Sequence, residues 1–143
     1  MPILGLRNST TKSYSRVHTI LVDNDFSSTT SFTGTNATVG VSGGKLVITD
    51  SGSGGGYASR SFITHIGTVY SYSIDYTDDN PGNGTMKFGT SANDNSLKNV
   101  NLAAEGTFTG TFTATSKGTH ITILVTGAGR TLKFDNLLVQ ENN

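Results

Sequence analysis

Alternation at period two dominates this chain. In Val69-Tyr70-Ser71-Tyr72-Ser73-Ile74-Asp75-Tyr76, the residues Tyr70, Tyr72, Ile74 and Tyr76 fall on one face. Ser71, Ser73 and Asp75 fall on the other, which is the pattern of a half-buried strand. Thr107 to Ala114 repeats it, with Phe108, Phe112 and Ala114 on one side, Gly110 between them, and Thr107, Thr109, Thr111 and Thr113 opposite. Val39-Val41 and Leu46-Val47-Ile48-Thr49 flank Ser42-Gly43-Gly44-Lys45 and predict a hairpin. His120 to Val125 and Thr131 to Val139 predict two more strands around a turn at Gly127-Ala128-Gly129-Arg130. Weaker strand patterns lie at Thr19 to Val22, Tyr57 to Ile63 and Thr85 to Gly89. Leu97 to Glu105 is the one stretch with room for a helical turn, and it reads better as loop plus strand. About eight or nine short strands with frequent turn signals predict an antiparallel two-sheet sandwich.

Composition agrees. Of 143 residues, 23 are Thr and 16 are Ser, with 18 Gly and only 2 Pro. Threonine is β-branched and suits a pleated surface, while turns must rest on Gly, Asn and Asp. The 10 basic and 10 acidic residues cancel. That excludes a global positive field for nucleic acid. There is no Cys, which excludes disulfides and thiolate chemistry. No apolar run approaches the length of a membrane-spanning helix, and no membrane partner is expected. The start, Met1 to Arg7, lacks a basic opening and a full apolar core, so an export leader is not expected. Residues 1–18 carry Arg7, Lys12 and Arg16 and no acid. They read as an extended arm ahead of a single domain over 19–143.

The ordered pieces Asn24-Asp25-Phe26, Phe32-Thr33, Val41 to Ile48, Gly56-Tyr57-Ala58, Val69 to Tyr76, Phe108 to Thr115 and Phe134-Asp135-Asn136-Leu137-Leu138-Val139 stand in a familiar sequence. The chain resembles jelly-roll carbohydrate-binding modules, and the phage and marine viral structural proteins that carry such a module. The resemblance spans about residues 19–141. It implies a jelly-roll sandwich, often with one structural calcium ion. At the matching positions here stand Asp25 and Asp135, oxygen ligands of the kind calcium takes. Sugar-binding members present aromatic platforms, because ring faces stack on sugars. This chain has no Trp. Tyr57, beside the glycine loop at 52–56, is the candidate exposed ring for a glycan contact.

Catalytic constellations are missing. His18, His65 and His120 have no metal-ligand spacing and read as surface or strand-edge residues. The two Glu, Glu105 and Glu141, give no paired-carboxylate site. The glycine loop lacks the Lys-Ser/Thr of a phosphate loop. A non-enzymatic role follows. The first reading is a phage virion protein at the capsid surface, a decoration or cement protein. Its arm residues Pro2, Ile3, Leu4, Leu6, Arg7, Lys12 and Arg16 would dock on the major capsid protein, with a homo-oligomer such as a trimer, or many copies on the capsid, expected. The alternatives are a glycan-binding, adhesive module of a tail fibre or surface enzyme, and a tail or portal adaptor.

Overall fold

A computed structural model describes residues 20–27, 31–77 and 83–142. Eleven strands run in chain order: β1 (Ile20–Asn24), β2 (Thr33–Thr35), β3 (Ala37–Ser42), β4 (Lys45–Asp50), β5 (Tyr57–Ile63), β6 (Val69–Thr77), β7 (Gly84–Gly89), β8 (Lys98–Leu102), β9 (Gly106–Thr113), β10 (Gly118–Val125) and β11 (Thr131–Glu141). No helix occurs among the described residues. The larger sheet has the order β3-β4-β11-β6-β9, and β1 joins it on β11. The smaller sheet has the order β2-β5-β10-β7-β8. All pairings are antiparallel, and the two sheets face each other as the sandwich expected from the alternation.

Strand β11 is long enough to serve two neighbours on one edge. Thr131 to Phe134 pair with β4, and Leu137 to Gln140 pair with β1. Its register against β6 shifts between Asp135 and Leu138. Asn136 sits in this bulge at φ 47°, a left-handed conformation that Asn tolerates better than most side chains. The β3–β4 hairpin turns through Gly43 and Gly44, both at positive φ, as a tight two-residue turn matched to strand twist requires.

The core is the set of inward positions from both sheets. Tyr70, Tyr72, Ile74 and Tyr76 are buried, as are Phe88, Phe112, Phe134 and Ile121. Aromatic rings bridge the layers: Phe88 of the smaller sheet stacks on Phe112 of the larger at 4.6 Å and lies 4.9 Å from Tyr72. Each fully buried ring or branched aliphatic side chain contributes about 1.5–3 kcal/mol. Phe26 is fully buried yet has φ 50°, a costly backbone for a bulky residue. The Asn24 side-chain oxygen accepts its N–H at 2.8 Å, and its ring lies 6.4 Å from that of Phe32. Burial and this hydrogen bond offset the strain.

Asp50 ends β4 on its inward side and is only 2% exposed. Its carboxylate accepts the N–H groups of Gly52, Gly54, Gly56 and Gly129 at 2.9, 3.0, 2.8 and 3.1 Å. The glycine loop therefore wraps an anion. Gly52, Gly54 and Gly55 have positive φ. At Gly56 a β-carbon would run into the Asn36 carbonyl oxygen and Asp50 itself. These hydrogen bonds, that from Gly52 foremost and that from Gly54 next, hold the carboxyl down at about 2 from an ordinary 3.8. A lowered folded-state pKa adds stability that is complete above the unfolded value and is lost as pH falls through the folded one. Stability should therefore decline between about pH 4 and pH 2. Asp50→Ala, which strands four buried or half-buried N–H groups, should lower the melting temperature by roughly 10 °C or more. It should also flatten that acid limb, as scanning calorimetry from pH 2 to pH 7 can measure.

Candidate functional site

The outward face of the smaller sheet is built by alternation. Ala58, Ile121, Ile123, Met86 and Phe88 point into the core, so Tyr57, Ser59, Ser61, His120, Thr122, Leu124, Thr85 and Lys87 point out. Register lines them into rows across the strands. One row is Thr35, Tyr57, Leu124, Thr85 and Asn101. The next is Thr33, Ser59, Thr122, Lys87 and Asn99, followed by Ser61, His120 and Gly89.

The segment between β7 and β8 folds onto this face. The Asn93 N–H donates to Thr122 Oγ1 at 2.9 Å, and Lys87 Nζ donates to Asn93 Oδ1 at 2.9 Å. Thr122 is therefore buried although it points outward. Asp94 holds the segment together, accepting from Ser96 Oγ and N–H at 2.6 and 3.0 Å and from Thr90 N–H and Oγ1 at 2.8 and 3.2 Å. Gly89 is required beneath it, because a β-carbon there would strike the Asp94 carbonyl oxygen. Beside this wall lies a depression of about 400 Å³ lined by Ser31, Thr33, Ser59, Arg60, Ser61 and His120. Hydroxyls and the His120 imidazole converge there, and none of the lining residues is acidic. Arg60 is paired with buried Ile121, so its backbone lines the depression while alternation turns its side chain to the inward side of the sheet.

Tyr57 is half-buried on this face, one row from the depression. Its position follows from its neighbour: Gly56 donates to Asp50 and accepts the Val125 N–H at 2.8 Å. His120 stands on the central strand of the sheet, not at an edge, because Gly118 to Val125 is flanked on both sides by β5 and β7. Ser61 and His120 were not legible as site residues in the sequence. Only the cross-strand register brings them to one place.

The larger sheet carries a second depression of about 520 Å³ on its outward face, lined among others by Lys45, Asp75, Glu105, Thr107, Asp135 and Asn136. Asn136 Nδ2 and Thr107 Oγ1 donate to Asp75 at 2.7 and 2.6 Å. These two bonds, with Lys45 nearby, hold the Asp75 carboxyl below its ordinary value. The candidate calcium ligands are each engaged locally. Asp135 Oδ1 accepts the N–H of Asn136 at 2.8 Å. Exposed Asp25 accepts that of Ser27 at 3.0 Å, which lowers its pKa. Calcium takes six to eight oxygens, and among the described residues no three acidic or histidine side chains gather around a point. The two carboxylates alone do not furnish such a shell, and no chemistry is assigned to an ion here. The arm residues Pro2, Ile3, Leu4, Leu6, Arg7, Lys12 and Arg16, with His18, lie outside the described residues.

No protein-family model matches the chain. No curated protein matches it either. Solved structures do. A family 4 carbohydrate-binding module is 22% identical, with 83% of this chain and 92% of that one covered at a TM-score of 0.61. The BiXyn10A CBM1 domain is 13% identical, with 86% and 99% covered at 0.68. The CBM22-1 xylan-binding domain of Paenibacillus barcinonensis Xyn10C is 14% identical, with 90% and 97% covered at 0.66. The fold is thus the jelly-roll sandwich of carbohydrate-binding modules, and none of these structures is a virion protein.

The wall over the smaller sheet yields its own expectation. Asp94 is held at about 2 from 3.8, by the Ser96 hydroxyl first and the Thr90 N–H next. Its ordering effect is complete above about pH 4 and lost as pH falls through about 2. The amide resonances of Thr90 and Ser96 should shift together over that range, with a midpoint near 2. Gly89→Ala should perturb the same resonances at neutral pH.

Proposed function

We propose that this chain is a non-catalytic glycan-binding module whose binding surface is the outward face of the smaller sheet. The observation that carries the reading is the convergence of His120, Ser59, Ser61 and Thr33 in one depression, one row from Tyr57. A sugar ring has apolar C–H faces and a rim of hydroxyls. The Tyr57 ring and Leu124 offer an apolar patch for the former. Imidazole and hydroxyl groups supply donors and acceptors for the latter. The rows run across strands, so an extended polysaccharide laid over them meets polar groups at successive positions. The lack of acidic side chains in the lining favours neutral or carboxylate-bearing glycans over amino sugars carrying a free amine.

The fold's likeness to carbohydrate-binding modules supports this reading over capsid decoration, which drew on the arm at 1–18 and so on residues outside those described. Binding needs no catalytic group; the hydrogen bonds on this face order the segment between β7 and β8.

The test is binding to a panel of neutral and uronate-containing polysaccharides, followed by calorimetry on oligosaccharides of the best ligand. Tyr57→Ala and His120→Ala should each weaken binding by roughly tenfold or more. Tyr57→Phe, which keeps the ring, should bind nearly as the parent does. Asp135→Asn, on the opposite face, should leave affinity unchanged. No binding by the parent chain to any member, or equal binding by all variants, would overturn the assignment.

A further inference from the structure

Strand β9 forms one edge of the larger sheet. Among the described residues it pairs with β6 alone. Sheet edges are usually guarded by charge, proline, a bulge or shortness. Gly106 to Thr113 has none of these: it spans 8 residues in unbroken register, without a charged residue or proline. The edge strands of the smaller sheet are 3 and 5 residues long.

The segment Thr107-Phe108-Thr109-Gly110-Thr111-Phe112-Thr113 reads identically in both directions about Gly110. Hydrogen-bond direction agrees with that symmetry. Ala114 donates its N–H to Thr68 at 3.0 Å and accepts from Gly67 at 2.8 Å, so both of its backbone groups point to the β6 side. In an antiparallel ladder successive residues point their backbone groups to opposite sides. Phe112, Gly110 and Phe108 therefore also face β6, while Thr107, Thr109, Thr111 and Thr113 aim N–H and C=O away from β6, where no other strand pairs among the described residues. A two-fold axis through Gly110 sets Thr109 opposite Thr111 and Thr107 opposite Thr113 of a second copy. Each outward-pointing residue then meets another, which is the condition for closed hydrogen-bonded pairs. The same register sets Phe108 opposite Phe112. Phe108 is half-buried at this edge while Phe112 is buried, so a partner strand would cover the exposed part of the ring. A register centred on Thr109 would instead set Phe108 opposite Gly110.

We propose that β9 is a homodimerisation edge, with two copies joining antiparallel about a two-fold axis at Gly110 so that their larger sheets merge into one. Such an interface is isologous and closes at two copies. Cross-strand Thr–Thr pairs would line its outward face. The outward face of the smaller sheet takes no part, so this inference stands apart from the glycan assignment.

Sedimentation equilibrium of the full chain over a wide concentration range tests it. The parent should fit a monomer–dimer equilibrium. Thr111→Pro removes an outward N–H and leaves the ladder to β6 intact, as proline at a sheet edge can. It should be monomeric with unchanged near-ultraviolet dichroism. Thr109→Lys should weaken dimerisation by roughly tenfold or more, and it carries the test if the proline variant does not fold. Register is read by cross-linking, made clean by the absence of native Cys. Thr109→Cys mixed with Thr111→Cys should oxidise to a disulfide dimer, since hydrogen-bonded pairs hold Cα atoms about 5.5 Å apart. Either variant alone should cross-link far less. A parent that stays monomeric, a dimer indifferent to both edge variants, or equal cross-linking without mixing would overturn the proposal.

Discussion

The carboxylate of Asp50 is the point on which this fold's geometry turns. A buried anion is expensive unless hydrogen bonds replace its water. Here four glycine amides do so, three from the loop that follows β4 and one from the turn before β11. The same residue's N–H donates to the Arg130 carbonyl at 2.9 Å, and the Ser51 N–H donates to Asn36 at 3.0 Å. Asp50 thereby ties β4 and the β11 turn of the larger sheet to Gly56, where β5 of the smaller sheet begins. Glycine is essential to this device, because only a chain without β-carbons can curl its amides around one carboxylate so closely. The direction of Tyr57, the first residue of β5, follows from that closure.

From there the two outward faces diverge. Both are rich in hydroxyls, but the smaller sheet has a wall. The segment anchored by Asp94 and Asn93 covers Thr122 and leaves Ser61 and His120 beside an open depression. The larger sheet keeps its acidic groups in a network in which Asn136, held in a left-handed bulge, donates to Asp75. One face leaves hydroxyls and an imidazole around an open depression, whereas the other spends its polar groups on one another. This asymmetry is why the recognition surface is assigned to the smaller sheet.

Much of the fold was legible from alternation because most strands have one buried and one solvated face. Tyr70, Tyr72, Ile74 and Tyr76 read as core and are core. The Gly43-Gly44 hairpin has the positive φ its turn type demands. Two strands left little signal. In β2 all three residues are exposed, so no apolar period exists to be seen. In β8 only Leu102 is buried among polar neighbours. The site was harder to see. Ser61 and His120 are 59 positions apart in the chain and face each other only through the β5–β10 register. Nothing local in the sequence reveals that the Asp50 carboxylate turns inward. Its partner amide from Gly129 is 79 residues away.

The scarcity of charge governs how such a molecule meets others. With 10 basic and 10 acidic residues in 143 and no net charge, long-range repulsion between copies is weak. Hydroxyl-rich surfaces stay hydrated without charge, so solubility does not depend on it. What remains to decide association is the directional demand of unpaired backbone groups. Short edge strands present few of them and need little protection. A longer edge lined with threonine presents a whole row, flanked by side chains that already favour the pleated conformation. A sequence that is its own mirror across Gly110 then presents self-complementary neighbours along that row. The chemistry that makes the outward faces fit for polyhydroxylated ligands, neutral hydroxyls on rigid strands, is also what leaves this edge without a charged guard.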